Sequence, residues 1–195
     1  MFYQPKDGHG LPHNPFSAIV APRPIGWIST RAERGDNLAP YSFFNAVAYA
    51  PPQVIFAGGM KDTIRNVQQT GVFAVNLVAR AQLEAMNATS AKFPHGVDEF
   101  ARAGVARAEC QMINCPRVAA SPATLECQMT QIVPLQGADD FLVIGTVVGV
   151  HIDPACMDDQ GRFSPAIFGQ MARLGYQDYA EIRGGLTLRR PDDPS

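Results

Sequence analysis

Proline and glycine cut this chain so often that its apolar runs stay short, and that punctuation limits the folds open to it. Among 195 residues stand 17 Gly and 16 Pro, and the stretches between them are rich in β-branched and aromatic residues. Phe16 to Val20 and Ile25 to Ser29 are two such β-prone runs, separated by Pro22, Arg23 and Pro24. Prolines this close together deny a sheet its donors, which predicts an edge or a bulge there. Arg31 to Asn37, with Gly35 and charges of both signs, predicts a surface hairpin connection. Tyr41 to Asn45 is β-like again, and Pro51-Pro52 ends the alanine-rich link that follows it.

The period changes twice. Gln53 to Ala57 has the composition of a buried strand ending at Gly58-Gly59, but Lys61 to Thr70 spaces Ile64 and Val67 on one helical face. Asp62 or Thr63 can cap that helix, and Gly71 is a natural C-terminal stop. Val72 to Val78 returns to strand, and a second helix over about Arg80 to Ala88 turns Leu83 and Met86 inward. Pro94 to Gly104 reads as a loop or broken helix. Leu125 to Val133 alternates Leu125, Cys127 and Met129 with Glu126, Gln128 and Thr130, which predicts a strand wet on one face. A turn at 137–140 and a long return strand, Phe141 to Ile152, complete an antiparallel hairpin. Six or seven strands with two inserted helices and no βαβ spacing predict a mainly β fold, a closed antiparallel barrel of Greek-key-like order, with a β-sandwich as the alternative. The length suits one domain over residues 16–180, with an N-terminal arm at 1–15 and a tail at 181–195 that frays over its last five residues.

The charge balance of −2 sets up no global field for nucleic acid or for an anionic membrane. Apolar runs fall well short of the roughly 20 residues a spanning helix needs, and the opening residues do not read as a secretory signal. The four cysteines, Cys110, Cys115, Cys127 and Cys156, form no CxxC pair, so reduced thiols and a cytoplasmic protein are the expectation. There is no GxGxxG after a strand and no GxxxxGK[ST]. His9, His13, His95 and His151 stand isolated, without zinc-site spacing, so no metal site is expected.

Four blocks in register carry a resemblance. They are Arg23 to Thr30 (RPIGWIST), Asn37 to Asn45 (NLAPYSFFN), Pro51-Pro52, and Lys61-Asp62-Thr63 with Asn66. Val75-Asn76, the two late strands, and Arg173-Leu174-Gly175 with Tyr179 continue it, over about Phe16 to Tyr179. The chain thereby resembles the flavin reductase-like family of FMN-binding split barrels, in particular its flavoredoxin-type branch. The resemblance implies a split β-barrel homodimer with one FMN per subunit near the subunit interface. Its members are NAD(P)H-dependent flavin or ferric reductases, suppliers of reduced flavin to monooxygenases, or electron carriers.

Placed in that register, the residues acquire roles. Arg23, Lys61, Thr63 and Asn66, with the first amides of the helix after Asp62, suit a dianionic phosphate. Ser42, Phe43, Phe44 and Asn45 stand at a strand end where they can reach the flavin edge, as can Ser29 and Thr30. Arg173 is assigned to the cofactor or to a nicotinamide phosphate. Tyr176 and Tyr179 suit the outer face of the flavin or a dimer seam, and Trp27 the core or interface. No catalytic acid or base is assigned, because hydride passes directly between stacked rings. Three functions share these residues: an NAD(P)H-dependent FMN reductase, a non-enzymatic flavoredoxin-like carrier handing electrons to a redox protein, and a flavin-less binding barrel. Free flavin, a ferric chelate or a monooxygenase are the other acceptors considered. The loop Phe93 to Gly104 is the place for a lid that admits or excludes nicotinamide.

Overall fold

A computed structural model describes residues 1–137 and 139–191. Seven strands form one antiparallel sheet: β2 (Gly26–Ala32), β3 (Gly35–Tyr41), β4 (Phe44–Tyr49), β5 (Pro52–Gly59), β6 (Val72–Asn76), β9 (Ala123–Pro134) and β10 (Asp140–Ile152). Their spatial order is β3-β2-β6-β9-β10-β5-β4. The two edge strands, β3 and β4, are consecutive in the chain and joined only by Ser42-Phe43, so the sheet curls round to meet itself without a ladder at the seam. This is the predicted barrel in its split form, and the sandwich alternative drops out.

Two glycines let the barrel close tightly. A Cβ on Gly145 would stand 2.6 Å from Phe73 Cζ, and one on Gly26 2.9 Å from the Phe44 ring. The β9–β10 ladder shifts register beside Gly145 and again before Gly149, which bends these two long strands. Inside, Phe56 meets Tyr41 and Phe73 edge to face at 4.9 and 5.2 Å, and Ile28, Cys127 and Val143 pack around them. Helix α2 (Asp62–Thr70) adds Ile64 and Val67 to this core, and Gly71 ends it in the left-handed region at φ 71°, as its position predicts.

A second core lies on the other face of β2 and β3. There Ile25, Trp27 and Leu38 meet Val78, just after β6, and Met86 and Phe100, brought by α3 (Leu83–Ala88) and α4 (Glu99–Arg102). Strand β2 is therefore buried on both faces. The remaining strands make two small sheets. One pairs β1 (Arg23–Pro24) with β11 (Met171–Arg173) and β12 (Tyr179–Glu181); the other pairs β7 (Arg107–Glu109) with β8 (Pro116–Val118). A short α5 (Pro165–Phe168) precedes β11.

Three expectations are corrected. Phe16–Ile19 is a helical turn, α1, not a strand. Asn14 Oδ1 accepts the Phe16 N–H at 3.0 Å, and the Arg23 guanidinium donates to the Ser17 and Val20 carbonyls, so local capping outweighs β propensity. The alanine-rich link after Asn45 belongs to β4, an exposed edge paired only with β5. The loop or broken helix expected at Pro94 to Gly104 is found, with α4 inside it, capped by Asp98, whose carboxylate accepts from Ala101 N–H at 3.2 Å. Glu126 does not lie on a wet face: it is 1% exposed and bonded within the protein. Ala138, in the predicted turn, and residues 192–195 of the tail lie outside the described residues. Among those described, no helix is long and apolar enough to cross a membrane.

Candidate functional site

The end of edge strand β3 separates two adjoining clefts. Asn37, Ala39 and Tyr41 face one, of about 240 Å³; Pro40 and the following Ser42 face the other, of about 400 Å³. The split follows from the two-residue period of a strand. Opposite β3 the wall also changes hands between neighbours, Ser90 lining the larger cleft and Ala91 the smaller. Edge strands invite foreign pairing, and here Leu38 N–H is taken by the buried Glu99 carboxylate at 3.1 Å while Pro40 has no N–H to offer. Burial raises Glu99 above the usual carboxylate range, against the pull of that amide.

The smaller cleft lies at the start of α2. Lys61 is the helix N-cap in extended conformation, and it, Arg65 and Lys92 bring positive charge, with Asp62 and His95 alongside. The first amides of a helix have no partner within it, so this end offers both donors and the positive end of the helix dipole. Asp62 is occupied with fastening the loop above: Gly96 N–H donates to its Oδ2 at 2.9 Å, and His95 Nδ1 contacts Oδ1. The predicted lid loop thus forms a wall tied to α2. Thr63 Oγ1 accepts from Asn37 Nδ2 at 2.9 Å. Burial pushes the Tyr41 phenol up to about 12, the Thr63 hydroxyl opposing, so Tyr41 remains a neutral donor.

The larger cleft contains two arginines. Arg23 is 92% buried, being 8% exposed; its guanidinium donates to Ser17 O and Val20 O and, at 2.8 Å, to Leu174 O, while its buried Nε has no protein partner. Burial, and secondly the charge of Arg173, lower its pKa. Arg173 Nη2 donates to Tyr176 O at 2.5 Å, and its guanidinium lies 4.4 Å from the Tyr179 ring centroid. No carboxylate is ion-paired with either arginine among the described residues. Tyr176, at φ 56°, is the one non-glycine residue there with positive φ, a strained position at the cleft mouth. Gly175 is demanded by packing: a Cβ there would stand 2.7 Å from Ala18 Cα.

The predicted site residues therefore sort into three groups. Lys61 and Thr63 line the α2 cleft; Arg23, Ser42, Phe43 and Arg173 line the arginine cleft, so Arg23 is not gathered with Lys61 around one phosphate. Ser29, Thr30, Phe44, Asn45 and Asn66 line neither. Ser29 is fully buried, its Oγ donating to Pro116 O at 2.6 Å and accepting from Asn76 Nδ2 at 3.0 Å. Thr30 accepts from Asn66 Nδ2 at 3.0 Å, tying α2 to β2. Phe44 packs on the barrel core, and Asn45 Oδ1 is bonded to Ala46 N–H. Sequence reasoning missed Asn37 and Tyr41, although the alternation through the NLAPYSFFN block carries the signal that sets them on one face. His95 and Lys92 had no local signal, because the loop that brings them is placed by tertiary contacts.

The chain belongs to the flavin reductase like domain family, matched over residues 19–172. Its fold superposes on nitrilotriacetate monooxygenase component B from Bacillus cereus with a TM-score of 0.84 at 28% identity, over 89% of this chain and 90% of that one. It also superposes on the 2-nitrobenzoate 2-nitroreductase NbaA of Pseudomonas fluorescens, with a TM-score of 0.82 at 27% identity over 90% and 88% of the two chains. Flavoredoxin of Desulfovibrio vulgaris (Miyazaki F) shares the fold, with a TM-score of 0.77 at 17% identity over 87% and 90%. The molecule is a flavin-linked redox protein of split-barrel fold.

Proposed function

We propose that the chain binds FMN non-covalently along the end of β3 and uses it as an NAD(P)H-dependent flavin reductase. The observation that carries this reading is the pair of adjoining clefts, one cationic at a helix start and one holding two arginines without carboxylate partners. The donor set fits a phosphate at the first: Lys61 and the α2 amides supply charge-assisted bonds, and Thr63 and Tyr41 supply hydroxyls. The sequence motifs supply one phosphate pocket and no adenine site, which favours FMN over FAD.

Bound FMN supplies a ring that takes hydride from a nicotinamide and passes electrons on. The protein's part is position and charge. Ser42 and Phe43, at the seam between β3 and β4, line the arginine cleft and can meet the edge of a planar ring. Arg173, held by Tyr176 O and the Tyr179 face, keeps a cation where an anionic electron donor would enter. Arg23 braces this cleft from below by closing the α1 and Leu174 carbonyls. Released electrons would go to free flavin, a ferric chelate or a partner monooxygenase.

The working unit in this reading is a homodimer. Val47 and Tyr49 on the unpaired edge of β4 are 52% and 98% exposed, and Phe43 and Tyr176 at the larger cleft are half exposed, leaving apolar surface and a free edge that a second copy can cover. Sedimentation of the FMN-loaded protein at micromolar concentration is expected to give a dimer, and a stable monomer would contradict it. Anaerobic stopped-flow absorbance tests the activity: NADH or NADPH is expected to bleach the flavin band, with turnover when free flavin or ferric chelate is added. Reduction by dithionite alone, with fast reoxidation by a redox protein, would favour an electron carrier.

A further inference from the structure

We propose that Cys110 and Cys115 form a reversible peroxide-sensitive dithiol, closing to an intramolecular disulfide at the tip of the β7–β8 hairpin. This site is separate from both clefts and does not rest on the flavin reading.

The register brings the two residues together. In the β7–β8 ladder Glu109 faces Pro116, so the next pair outward is Cys110 with Cys115, and Cys110 N–H donates to Cys115 O at 3.1 Å. One bond of the exchanged pair is made, the Cys115 N–H donating instead to Ile113 O at 3.0 Å, and this facing register sets opposed residues about 5.5 Å apart at Cα and on the same side. That separation falls inside the roughly 4.4–6.8 Å that disulfides span. Both side chains pack into one small cluster with Ala74 and Ile113.

The surroundings divide the work between them. Cys115 is fully buried, its Sγ donating to Ser29 O at 3.2 Å, and burial holds its thiol protonated. Cys110 is partly exposed and is the entry point. Its thiolate attacks a hydroperoxide, such as hydrogen peroxide; the O–O bond breaks, Cys110 becomes a sulfenic acid, and hydroxide leaves and is protonated to water. The Cys115 sulfur then attacks the sulfenic sulfur, losing its proton as the second water departs. Two thiols and one peroxide thus give one disulfide and two waters. Cys127, the other nearby thiol, faces the barrel interior with Phe56 and Phe73, on the opposite side of β9 from Glu126, which holds the Gln111 and Met112 amides of the hairpin tip.

Trypsin cuts after Arg107 and Arg117, so one peptide, Ala108 to Arg117, carries both cysteines and no other. Folded protein treated with a modest excess of hydrogen peroxide, denatured and blocked with N-ethylmaleimide is expected to yield this peptide unlabelled and two hydrogens lighter. Dithiothreitol given before the block should restore two labels. Cys110→Ser, at a partly exposed position, should keep the circular dichroism and melting temperature of the parent and leave Cys115 labelled after the same treatment. Oxygen added to Cys110 with Cys115 still free, a Cys110–Cys127 or interchain disulfide, or two labels after peroxide would each overturn the proposal.

Discussion

Ser29 and Lys61 come from equally recognisable sequence blocks, yet one is closed inside the protein and the other is open at a cleft. Ser29 sits in a closed hydrogen-bond network centred on Asn76. Asn76 Nδ2 donates to Trp27 O at 2.8 Å and to Ser29 Oγ, while its Oδ1 accepts from Val118 N–H at 2.9 Å and Thr124 Oγ1 at 3.0 Å. Lys61 takes part in no ion pair among the described residues. The difference shows that a polar residue in a family block can be kept either to join strands or to meet a ligand. Whether its hydrogen bonds are already made tells which.

The largest expected effect lies on the closed side. Asn76→Ala removes the group that joins β2, β8 and β9 and leaves several buried donors and acceptors unanswered. Each such group costs about 1–3 kcal/mol, so a loss of about 3–5 kcal/mol is expected in denaturant unfolding. A loss below about 1 kcal/mol would show that water can replace this network and would blur the contrast with Lys61.

Lys61→Ala should leave folding almost unchanged and weaken FMN. A charge-assisted bond is worth about 1.5–3 kcal/mol, so the FMN dissociation constant should rise about ten- to a hundredfold by fluorescence titration. Arg65→Ala is the internal comparison. Arg65 stands 3.8 Å from Asp62 and is exposed, so its loss should change affinity far less. Equal small effects would return Lys61 to an ordinary solvated helix charge.

Arg173 sharpens the contrast between the two clefts. Arg173→Met keeps length and apolar packing against Tyr179 but removes the cation. Nicotinamide-driven bleaching should slow about tenfold, the worth of roughly 1.4 kcal/mol, with FMN affinity nearly unchanged. A comparable loss of FMN affinity would move Arg173 into the cofactor's own contacts.

These contrasts also mark how far the sequence could be read. Strands, α2 with its Gly71 stop, and the barrel class were legible because period and punctuation are local properties. The helical turn at Phe16 was not, since Arg23 and Asn14 decide it from outside the run. Among site residues, Lys61 and Thr63 were legible from the helix start. Composition cannot tell a ligand-facing hydroxyl or carboxamide from one bonded between elements, which is why Ser29, Thr30 and Asn66 resemble open site residues in sequence. Glu126 was read as wet for the same reason: alternation gives its face, but the hairpin tip that covers that face lies 14 and 15 residues away in sequence.

The smallest expected effect concerns that covered carboxylate, and it tests whether the closed side is closed by charge. Burial alone would push Glu126 up. The Gln111 amide at 2.7 Å, His151, and the Met112 amide at 2.6 Å outweigh it and hold its pKa below the usual carboxylate value. A folded-state pKa below the unfolded one means the native protein binds fewer protons, so the contribution is fully present above the ordinary Glu value of about 4.3. It is lost as pH falls through the lower folded value. Glu126→Gln keeps size and one acceptor oxygen but not the charge, and should cost about 1 kcal/mol at pH 7. Urea midpoints measured from pH 7 to pH 3 should then converge for the two proteins at the acid end. A constant gap across that range would mean that shape and packing, rather than the ionised carboxylate, fasten the hairpin tip to β9.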